Sequence, residues 1–210
     1  MGQVPTHPLW RPYELADLDE VAQLRIGGPS RPVEVVGYDD GWPDQFEVVA
    51  ARVRGALGDR VLVLEHVGST SVPGLAAKPV IDLTLVVEDS GDEPAYLPDL
   101  EAAGFTLRVR EPDWEEHRVL ALEDPKTNLH VFSPGSGEPA RVRMFRDWLR
   151  SHPEDRAAYG ALKTELASQG FAEVMDYNNH KAAMVYDLYE RIFEADPEHE
   201  HDPQPRPGSD

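Results

Sequence analysis

A loop of small and hydroxyl-bearing residues between two apolar runs carries the chemistry that this sequence suggests. The loop starts at Gly68 and continues through Ser69, Thr70 and Ser71. Glycine lets a phosphate group approach the backbone closely, because it has no side chain, and the hydroxyl groups add hydrogen-bond donors. Asp82 follows on the next apolar run, where a carboxylate can hold a hard divalent cation such as Mg²⁺ or Mn²⁺. The pattern predicts a site for a phosphate group and a metal ion; the alternative is a tight turn beside a buried, hydrogen-bonded aspartate.

Further polar residues extend this candidate site. Lys78 either answers the charge of a phosphate chain, reaches Asp82, or lies in solvent. His130 is the natural partner of Asp82 on a later strand, as a metal ligand or a general base. Arg146 and Arg150 share a face of a predicted helix and could clamp an anion, although a surface ion pair is the simpler interpretation. The remaining candidates are a second cation and polar residues near the loop or on neighbouring strands: Lys181, Glu65, His66, Thr84, His117, Arg118 and Asn128.

Hydrophobic periodicity predicts the elements that must position these residues. Predicted strands cover 33–38, 61–66, 80–87, 105–109, 117–122 and 128–133. Predicted helices cover 14–24, 42–57, 93–103, 139–150, 153–168 and 173–195. Along the second of the long strands, Ile81, Leu83 and Leu85 share the core face, and Asp82 and Thr84 share the opposite face. The order of elements predicts an α/β (α+β) fold, a mixed β-sheet flanked by helices, with additional helices at the C-terminus.

Composition and charge narrow the range of functions. The 210 residues suit one globular domain, and Lys+Arg 20 against Asp+Glu 39 give a net charge of −19. Such a chain repels polyanions, so a nucleic-acid coat protein is not expected, although a local nest of N–H groups can still bind a small nucleotide. Without cysteine there is no disulfide and no cysteine-bound zinc. The sequence has neither a membrane-spanning run nor a signal segment, so a cytoplasmic protein is expected, and its oligomeric state is left open.

Three regions are predicted along the chain. Residues 1–32 are rich in proline and form an N-terminal extension. Residues 33–195 contain every predicted strand and form the folded domain. Residues 196–210 are acidic and proline-rich and have no aliphatic side chain, so they are predicted to be a disordered tail.

Several segments resemble the GrpB family, a group with a nucleotidyltransferase-like fold. The longest runs from His66 to Asp82 and reads His-Val-Gly-Ser-Thr-Ser-Val-Pro-Gly-Leu-Ala-Ala-Lys-Pro-Val-Ile-Asp. The other similar segments are 38–46, 128–131 and 145–153, with a weaker similarity at Tyr177 and Lys181. The resemblance extends over about 33–192 and implies a nucleotidyltransferase-like sheet with a nucleotide site.

The same resemblance marks a difference from active nucleotidyltransferases. Those enzymes place two acids at alternate positions of one strand and a third on a neighbouring strand, where they hold two metal ions. Here Thr84 takes the second position and His130 takes the third. Two interpretations follow. One is an enzyme that transfers a nucleotidyl group to an unknown acceptor, with a divalent metal on Asp82 and His130; the other is a catalytically inactive module that binds a nucleotide or another phosphate-bearing metabolite.

Some relatives in this family are fused to dephospho-CoA kinase. Kinase activity of that kind predicts a Gly-x-x-x-x-Gly-Lys-[Ser/Thr] phosphate loop. The sequence lacks that loop, and the spacing from Gly68 to Lys78 is different. Dephospho-CoA kinase chemistry is therefore not expected of this chain alone.

Overall fold

The computed structural model describes residues 4–19, 24, 26, 33–171 and 173–207. In these parts of the chain, five strands pair into one sheet: β1 (Val63–Val67), β2 (Ile81–Val86), β3 (Thr106–Glu111), β4 (His117–Glu123) and β5 (Lys126–Phe132). The long α-helices are α1 (Trp42–Leu57), α3 (Glu138–Ser151), α4 (Pro153–Ser168) and α5 (Val174–Glu194), and the short α2 spans Leu97–Ala102. Single turns of 3₁₀-helix lie at Gly58–Arg60, Ser69–Ser71 and Glu93–Ala95. The predicted α+β architecture with added C-terminal helices is confirmed.

The order of strands in the sheet is β1-β2-β5-β4-β3. β2 and β5 pair in parallel, whereas the other neighbouring strands pair antiparallel. In the parallel pair, Asp82 lies beside Asn128 and Thr84 lies beside His130. Paired residues of neighbouring strands project from the same face of a sheet. The parallel pair therefore gathers four polar side chains on one face.

The main core lies on the opposite face of the sheet. Ile81, Leu83 and Leu85 are completely buried there, as the alternation along β2 predicts. They pack with Leu129 and Val131 of β5 and with the apolar sides of α1 and α2. The polar face is covered instead by α3, α4 and α5, whose side chains line a cavity above β2 and β5. One face of the sheet thus forms the hydrophobic core, and the other face carries the polar residues of the cavity.

The helices and strands differ from the prediction in three places. The predicted strand 33–38 is wrong, because only Val36 pairs, in a single bridge with Ala77. Val33 is buried against Leu166 and Tyr177 of the C-terminal helices, so this segment finds its burial outside the sheet. The predicted helix 93–103 is divided into a 3₁₀ turn and α2. Of the predicted helix 14–24, residues 14–17 are not helical, and residues 20–23 lie outside the described part of the chain.

Both terminal regions pack against α5. His7 stacks on Phe193 at 4.3 Å, and its Nε2 lies 2.9 Å from Asp196 Oδ2. His201 is buried, with its Nε2 2.9 Å from Glu190 Oε2. Residues 196–207, for which composition predicts disorder, are thus held by paired histidines and acids rather than by aliphatic burial. Within the described ranges, no helix combines the length and apolar character that crossing a bilayer requires.

Candidate functional site

A cavity of about 620 Å³ lies between the polar face of the sheet and the three C-terminal helices. Its floor is formed by polar residues of β2 and β5, and one rim is formed by the loop that begins at Gly68. α4 and α5 contribute Lys163, Tyr177 and Lys181 from the opposite side. The cavity has the size of a small-molecule site and is lined by both apolar and convergent polar groups, as such sites usually are.

The loop after β1 approaches the carboxylate of Asp82 closely. Gly68 has φ 66° and ψ −172°, a conformation in which a side chain is strained. A Cβ atom on Gly68 would lie 2.5 Å from Asp82 Oδ2. The other carboxylate oxygen, Oδ1, accepts a hydrogen bond of 2.9 Å from Asn128 Nδ2. The backbone bend and the carboxylate therefore meet in one pocket, as the sequence predicts.

Side chains within and beside the loop fix its shape. Ser71 Oγ donates to the carbonyl oxygen of Gly68 at 2.6 Å, and Thr70 Oγ1 donates to that of Val80 at 3.1 Å. From α3, Arg150 donates twice to the carbonyl oxygen of Ser71, at 3.1 and 2.7 Å. Arg146 Nη1 likewise donates to the carbonyl oxygen of His66 at 2.9 Å. These two arginines hold the loop through its backbone.

Replacing Arg150 with methionine is expected to lower the free energy of unfolding by about 1 kcal/mol. The substitution removes both hydrogen bonds to the Ser71 carbonyl, and the partial exposure of the guanidinium keeps the loss modest. Urea unfolding followed by circular dichroism measures the change. Arg143→Met on the same helix is the control, because Arg143 is similarly exposed and its 3.6 Å contact with Glu65 is a partly exposed ion pair. Equal stability of the two variants would contradict this role.

Three lysines converge on the cavity. Lys163 Nζ donates to Ser69 Oγ at 2.9 Å, and the ammonium groups of Lys78 and Lys181 lie 5.7 and 5.2 Å from the centre of the Tyr177 ring. Burial lowers the pKa of Lys78 and of Lys181 to about 8. Burial, together with the charges of Lys181 and Lys78, lowers the pKa of Lys163 to about 6. Each amine is therefore placed where burial disfavours its charged form.

One carboxylate, Asp82, attracts all three of these ammonium groups. Burial raises the pKa of Asp82, against the opposing effects of the Asn128 hydrogen bond and the lysine charges. Glu138 also lines the cavity, but it is paired with Arg11 and Arg141 at 3.4 and 3.5 Å. The lysine end of the cavity therefore has more positive than negative groups.

The hydroxyl of Tyr177 also lacks a polar partner among the described residues at the lysine end of the cavity. It is buried, and no group in the described part of the chain forms a hydrogen bond with it. A buried hydroxyl without a partner costs about 1–3 kcal/mol. Since Tyr177 lines the cavity between Lys78 and Lys181, a polar ligand there would remove that cost.

A second polar group lies at the β4 side of the cavity. His117 Nδ1 lies 2.6 Å from Glu111 Oε2, and His117 Nε2 lies 3.0 Å from His130 Nδ1. Burial, followed by the effect of His117, lowers the pKa of His130 to about 3. His130 is therefore neutral at physiological pH.

The donors around Asp82 do not fit a two-metal centre. Thr84 stands at the alternate position of β2, and His130 stands on the neighbouring strand, so the described residues offer one carboxylate where two or three are needed. The ammonium groups of Lys78, Lys181 and Lys163 already attract that carboxylate, which favours its charged form. The single divalent metal on Asp82 and His130 stays a prediction.

The structure divides the predicted site residues into two groups. Those that line the cavity are Gly68, Ser69, Thr70, Lys78, Asp82, Thr84, His117, Asn128, His130, Arg146 and Lys181. Those that lie outside its lining are Glu65, His66, Ser71, Arg118 and Arg150.

The prediction that Arg118 points toward the site is wrong. Arg118 follows His117 on β4 and therefore projects from the other face of the sheet, where it pairs with Glu93 at 2.7 Å and Glu116 at 3.0 Å. His66 packs on Phe46 at 4.9 Å. Burial is the main reason that the pKa of His66 falls to about 4.

Sequence reasoning missed three residues of the site: Lys163, Tyr177 as a lining residue, and Glu111. Lys163 had a visible signal, because it falls between Tyr159 and Leu166 on the buried stripe of α4. A lysine in an apolar stripe indicates a buried polar environment. Glu111 had no signal of its own, since its role comes from the pairing of β3 with β4.

Known proteins similar to this chain span most of its length. UPF0157 protein BH1888 of Halalkalibacterium halodurans is 47% identical over 175 residues, which cover 83% of this chain and 90% of that protein. UPF0157 protein SCO7215 of Streptomyces coelicolor is 38% identical over 167 residues, with coverage of 79% and 88%. The dephospho-CoA kinase of Mycolicibacterium paratuberculosis is 31% identical over 190 residues, but these cover only 46% of the kinase.

A solved structure and a family profile agree with these relatives. The crystal structure of the conserved protein GrpB from Enterococcus faecalis superposes with a TM-score of 0.68 at 29% identity, covering 77% of this chain and 98% of that one. The profile of the family described as GrpB protein matches residues 32–191, which contain the whole sheet, the loop at Gly68 and the three lysines. The chain therefore belongs to the GrpB family.

Proposed function

We propose that the cavity binds a nucleotide or another phosphate-bearing ligand, with its phosphates at the lysine end. The observation that carries this proposal is that three of the four lysines in the chain line one cavity of a protein whose net charge is −19. A strongly acidic protein that confines its few lysines to one pocket has the electrostatics of an anion site.

The amines gain free energy from a bound anion. In the ligand-free protein, burial disfavours the ammonium form of each lysine, and only Asp82 offers a compensating charge. A di- or triphosphate brings two or more negative charges and several acceptor oxygens to the same place. Lys163 can then donate to the ligand as well as to Ser69 Oγ.

The remaining groups at this end complete the anion site. The hydroxyl of Tyr177 can donate to a phosphate oxygen, which removes its unsatisfied state. Gly68 brings the backbone of the loop against Asp82, so the loop and the carboxylate border the same end of the cavity. Trp114 and Phe132 line the other end, where a planar base can lie against apolar surface. The cavity thus suits a ligand with a phosphate end and an aromatic end.

Isothermal titration calorimetry tests the proposal. ATP, GTP, CTP and inorganic tripolyphosphate are titrated into the protein with Mg²⁺, with Mn²⁺, or with EDTA. Binding is expected even with EDTA, because three amines supply the positive charge. No binding of any of the four ligands in any condition would overturn the proposal. Stronger binding of nucleotides than of tripolyphosphate would indicate that the base contributes.

The same titration with Asp82→Asn tests the predicted metal. If Asp82 holds a divalent ion, the affinity that Mg²⁺ or Mn²⁺ adds in the wild-type protein is lost in the variant. Asp59→Asn is the control, because Asp59 is an exposed aspartate in the turn after α1. An equal metal effect in all three proteins would remove Asp82 as a metal ligand.

Nucleotidyl transfer is a further possibility for the same cavity, and it is separated from binding by a labelling experiment. Nucleoside triphosphates labelled in the α-phosphate are incubated with the protein and cell extract. Transfer of label that depends on Asp82 would support an enzyme. Binding without transfer would support the inactive module. His130 lines the cavity, and its Nδ1 is bonded to His117 whereas its Nε2 is left for a substrate. This arrangement favours the enzyme.

A further inference from the structure

A chain of hydrogen bonds leads from a partly exposed carboxylate to an imidazole in the cavity. Glu111 Oε2 lies 2.6 Å from His117 Nδ1, and His117 Nε2 lies 3.0 Å from His130 Nδ1. A carboxylate only accepts hydrogen bonds, so Nδ1 of His117 carries a proton. Neutral His117 then has its lone pair on Nε2, which accepts the Nδ1 proton of His130. The lone pair of neutral His130 is consequently on Nε2.

Packing fixes the orientation of this chain. The His117 side chain is only 5% exposed, and its ring stacks on Phe132 at 4.6 Å and meets the edge of Trp114 at 5.0 Å. The rings of His117 and His130 are nearly parallel, with 5° between their planes. Neither ring can turn without losing these contacts, so the bare Nε2 of His130 is held in place. No residue in the described ranges donates to that nitrogen.

We propose that His130 is a general base that accepts a proton from a hydroxyl group or water beside the bound phosphate, and that His117 and Glu111 are positioning residues. This proposal rests on the proposed function, because it requires a phosphate-bearing ligand in the same cavity. His130 and His117 both line that cavity together with the loop at Gly68 and the lysines. Proton removal by a positioned histidine is a common way to activate such a nucleophile.

The proton and electron pairs balance as follows. Nε2 of His130 takes the hydroxyl proton while the hydroxyl oxygen forms a bond to phosphorus. The bond from phosphorus to the leaving oxygen breaks, and its electron pair stays on that oxygen. The Nδ1 proton of His130 passes to Nε2 of His117. The positive charge then lies on His117, beside the Glu111 carboxylate.

This transfer explains how a buried histidine can act as a base. A pKa of about 3 makes His130 alone a poor proton acceptor at neutral pH, because its imidazolium would be buried without a partner. Passing the charge to His117 replaces that buried imidazolium with an ion pair. The alternative is a purely structural chain, in which Glu111 only orients the rings.

Histidine tautomers measured by NMR provide the first test. Protein with ¹⁵N-labelled histidine is studied at pH 7.5 by long-range ¹H–¹⁵N correlation, which distinguishes protonated from bare ring nitrogens. Both His117 and His130 are expected to carry their proton on Nδ1. A proton on Nε2 of His130 would overturn the proposal, because that nitrogen could not accept another. His66, which bonds Thr70 on the other side of the sheet, is the internal control.

Glu111→Gln separates the positioning role from a structural one. Glutamine keeps an oxygen that accepts the His117 hydrogen bond but removes the charge, so the tautomers are expected to stay the same. Transfer of label from α-labelled nucleoside triphosphates in the presence of cell extract is expected to fall about tenfold in Glu111→Gln, because the positive charge that arrives on His117 loses the carboxylate beside it. Glu111→Asp, which keeps the charge, should lie closer to the wild type. Equal transfer in the wild type and Glu111→Gln would leave only a structural role for Glu111, and no transfer by the wild-type protein would exclude a general base; either result would overturn the proposal.

The other charged groups facing the cavity are the same in all these proteins: Asp82, Glu138, Arg146, Lys78, Lys163 and Lys181. Tripolyphosphate binding by calorimetry, measured on the same samples, is expected to be equal in the wild type and Glu111→Gln. Expected tautomers without phosphate binding would overturn the proposed ligand. Phosphate binding with other tautomers would overturn the base. The two failures are therefore distinguishable.

Discussion

Lys163→Met is expected to weaken the binding of inorganic tripolyphosphate by about 30-fold and to stabilise the ligand-free protein. A hydrogen bond between an ammonium and a phosphate contributes about 2 kcal/mol, which corresponds to that factor. In the free protein, the same ammonium is buried beside Lys78 and Lys181. Methionine has a similar shape without the charge, so the variant loses a repulsion when no ligand is present.

The free energy of unfolding of the wild-type protein is expected to rise with pH because of Lys163, and this direction can be checked. The pKa of Lys163 falls from 10.5 in model compounds to about 6 in the folded protein. Below pH 6 the folded protein bears the full cost of the buried charge. As the pH rises from about 6 toward 10.5, the unfolded chain holds a proton that the folded protein lacks, so stability rises. This rise should be smaller in Lys163→Met.

Two measurements on Lys163→Met complete the test. Calorimetry at pH 7.5 in buffers of different ionisation enthalpy should show proton uptake on phosphate binding by the wild type, and less uptake by the variant. Chemical unfolding between pH 6 and 9 should show the difference in stability. Lys126→Met, which removes an exposed lysine at the start of β5, is the control. Equal affinity in the wild type and Lys163→Met would contradict the assignment of the anion site.

Gly68→Ala is expected to abolish phosphate binding, with a loss of more than about 100-fold, and to lower the free energy of unfolding by about 3 kcal/mol. The backbone at Gly68 has φ 66°, where an alanine is strained. Its Cβ would also lie 2.5 Å from Asp82 Oδ2 and 2.9 Å from Asp82 Cβ. Either the loop or the carboxylate must move, and both contribute to the same end of the cavity.

Gly58→Ala is the matched control for this substitution. Gly58 has φ 57°, but no atom lies within 4 Å of the position where its Cβ would be. It therefore carries the backbone strain without the close contact, and it lies away from the cavity. Stability of both variants is measured by urea unfolding, and affinity by calorimetry with tripolyphosphate. If Gly68→Ala resembles Gly58→Ala in both measurements, the approach of the loop to Asp82 has no role in binding.

The part of this site that could be predicted from sequence is the part encoded by local patterns. Alternation along β2 placed Asp82 opposite the buried Leu83, and glycine after a β-branched strand indicated the bend at Gly68. The sequence also predicts His130 as the partner of Asp82 on a later strand. In the structure β5 does lie beside β2, but the register sets Asn128 beside Asp82 and His130 beside Thr84.

The remaining features depend on contacts between elements that are distant along the chain. Two of the three cavity lysines, Lys163 and Lys181, reach it only because α4 and α5 fold back over the sheet. Residues 33–38 have the composition of a strand, but Val33 is buried against those helices instead. For the loop arginines the sequence leaves open an anion clamp or a surface ion pair. Both arginines do pair with Asp147, but the bonds from Arg150 to a backbone carbonyl are revealed by no side-chain pattern.

Because the terminal regions pack on α5, the aromatic side chains near the end of that helix are buried in this protein. Leu9 and Trp10 pack against the cluster of Tyr189, Ile192 and Phe193, and Trp10 Nε1 donates to Glu190 at 2.7 Å. Both terminal regions lie outside the span that defines the family. Trimming the chain to that shared span would delete Ile192 and Phe193 and leave Tyr189, Phe145 and Trp148 without the cover of Leu9 and Trp10, even though it would delete no strand and no lining lysine.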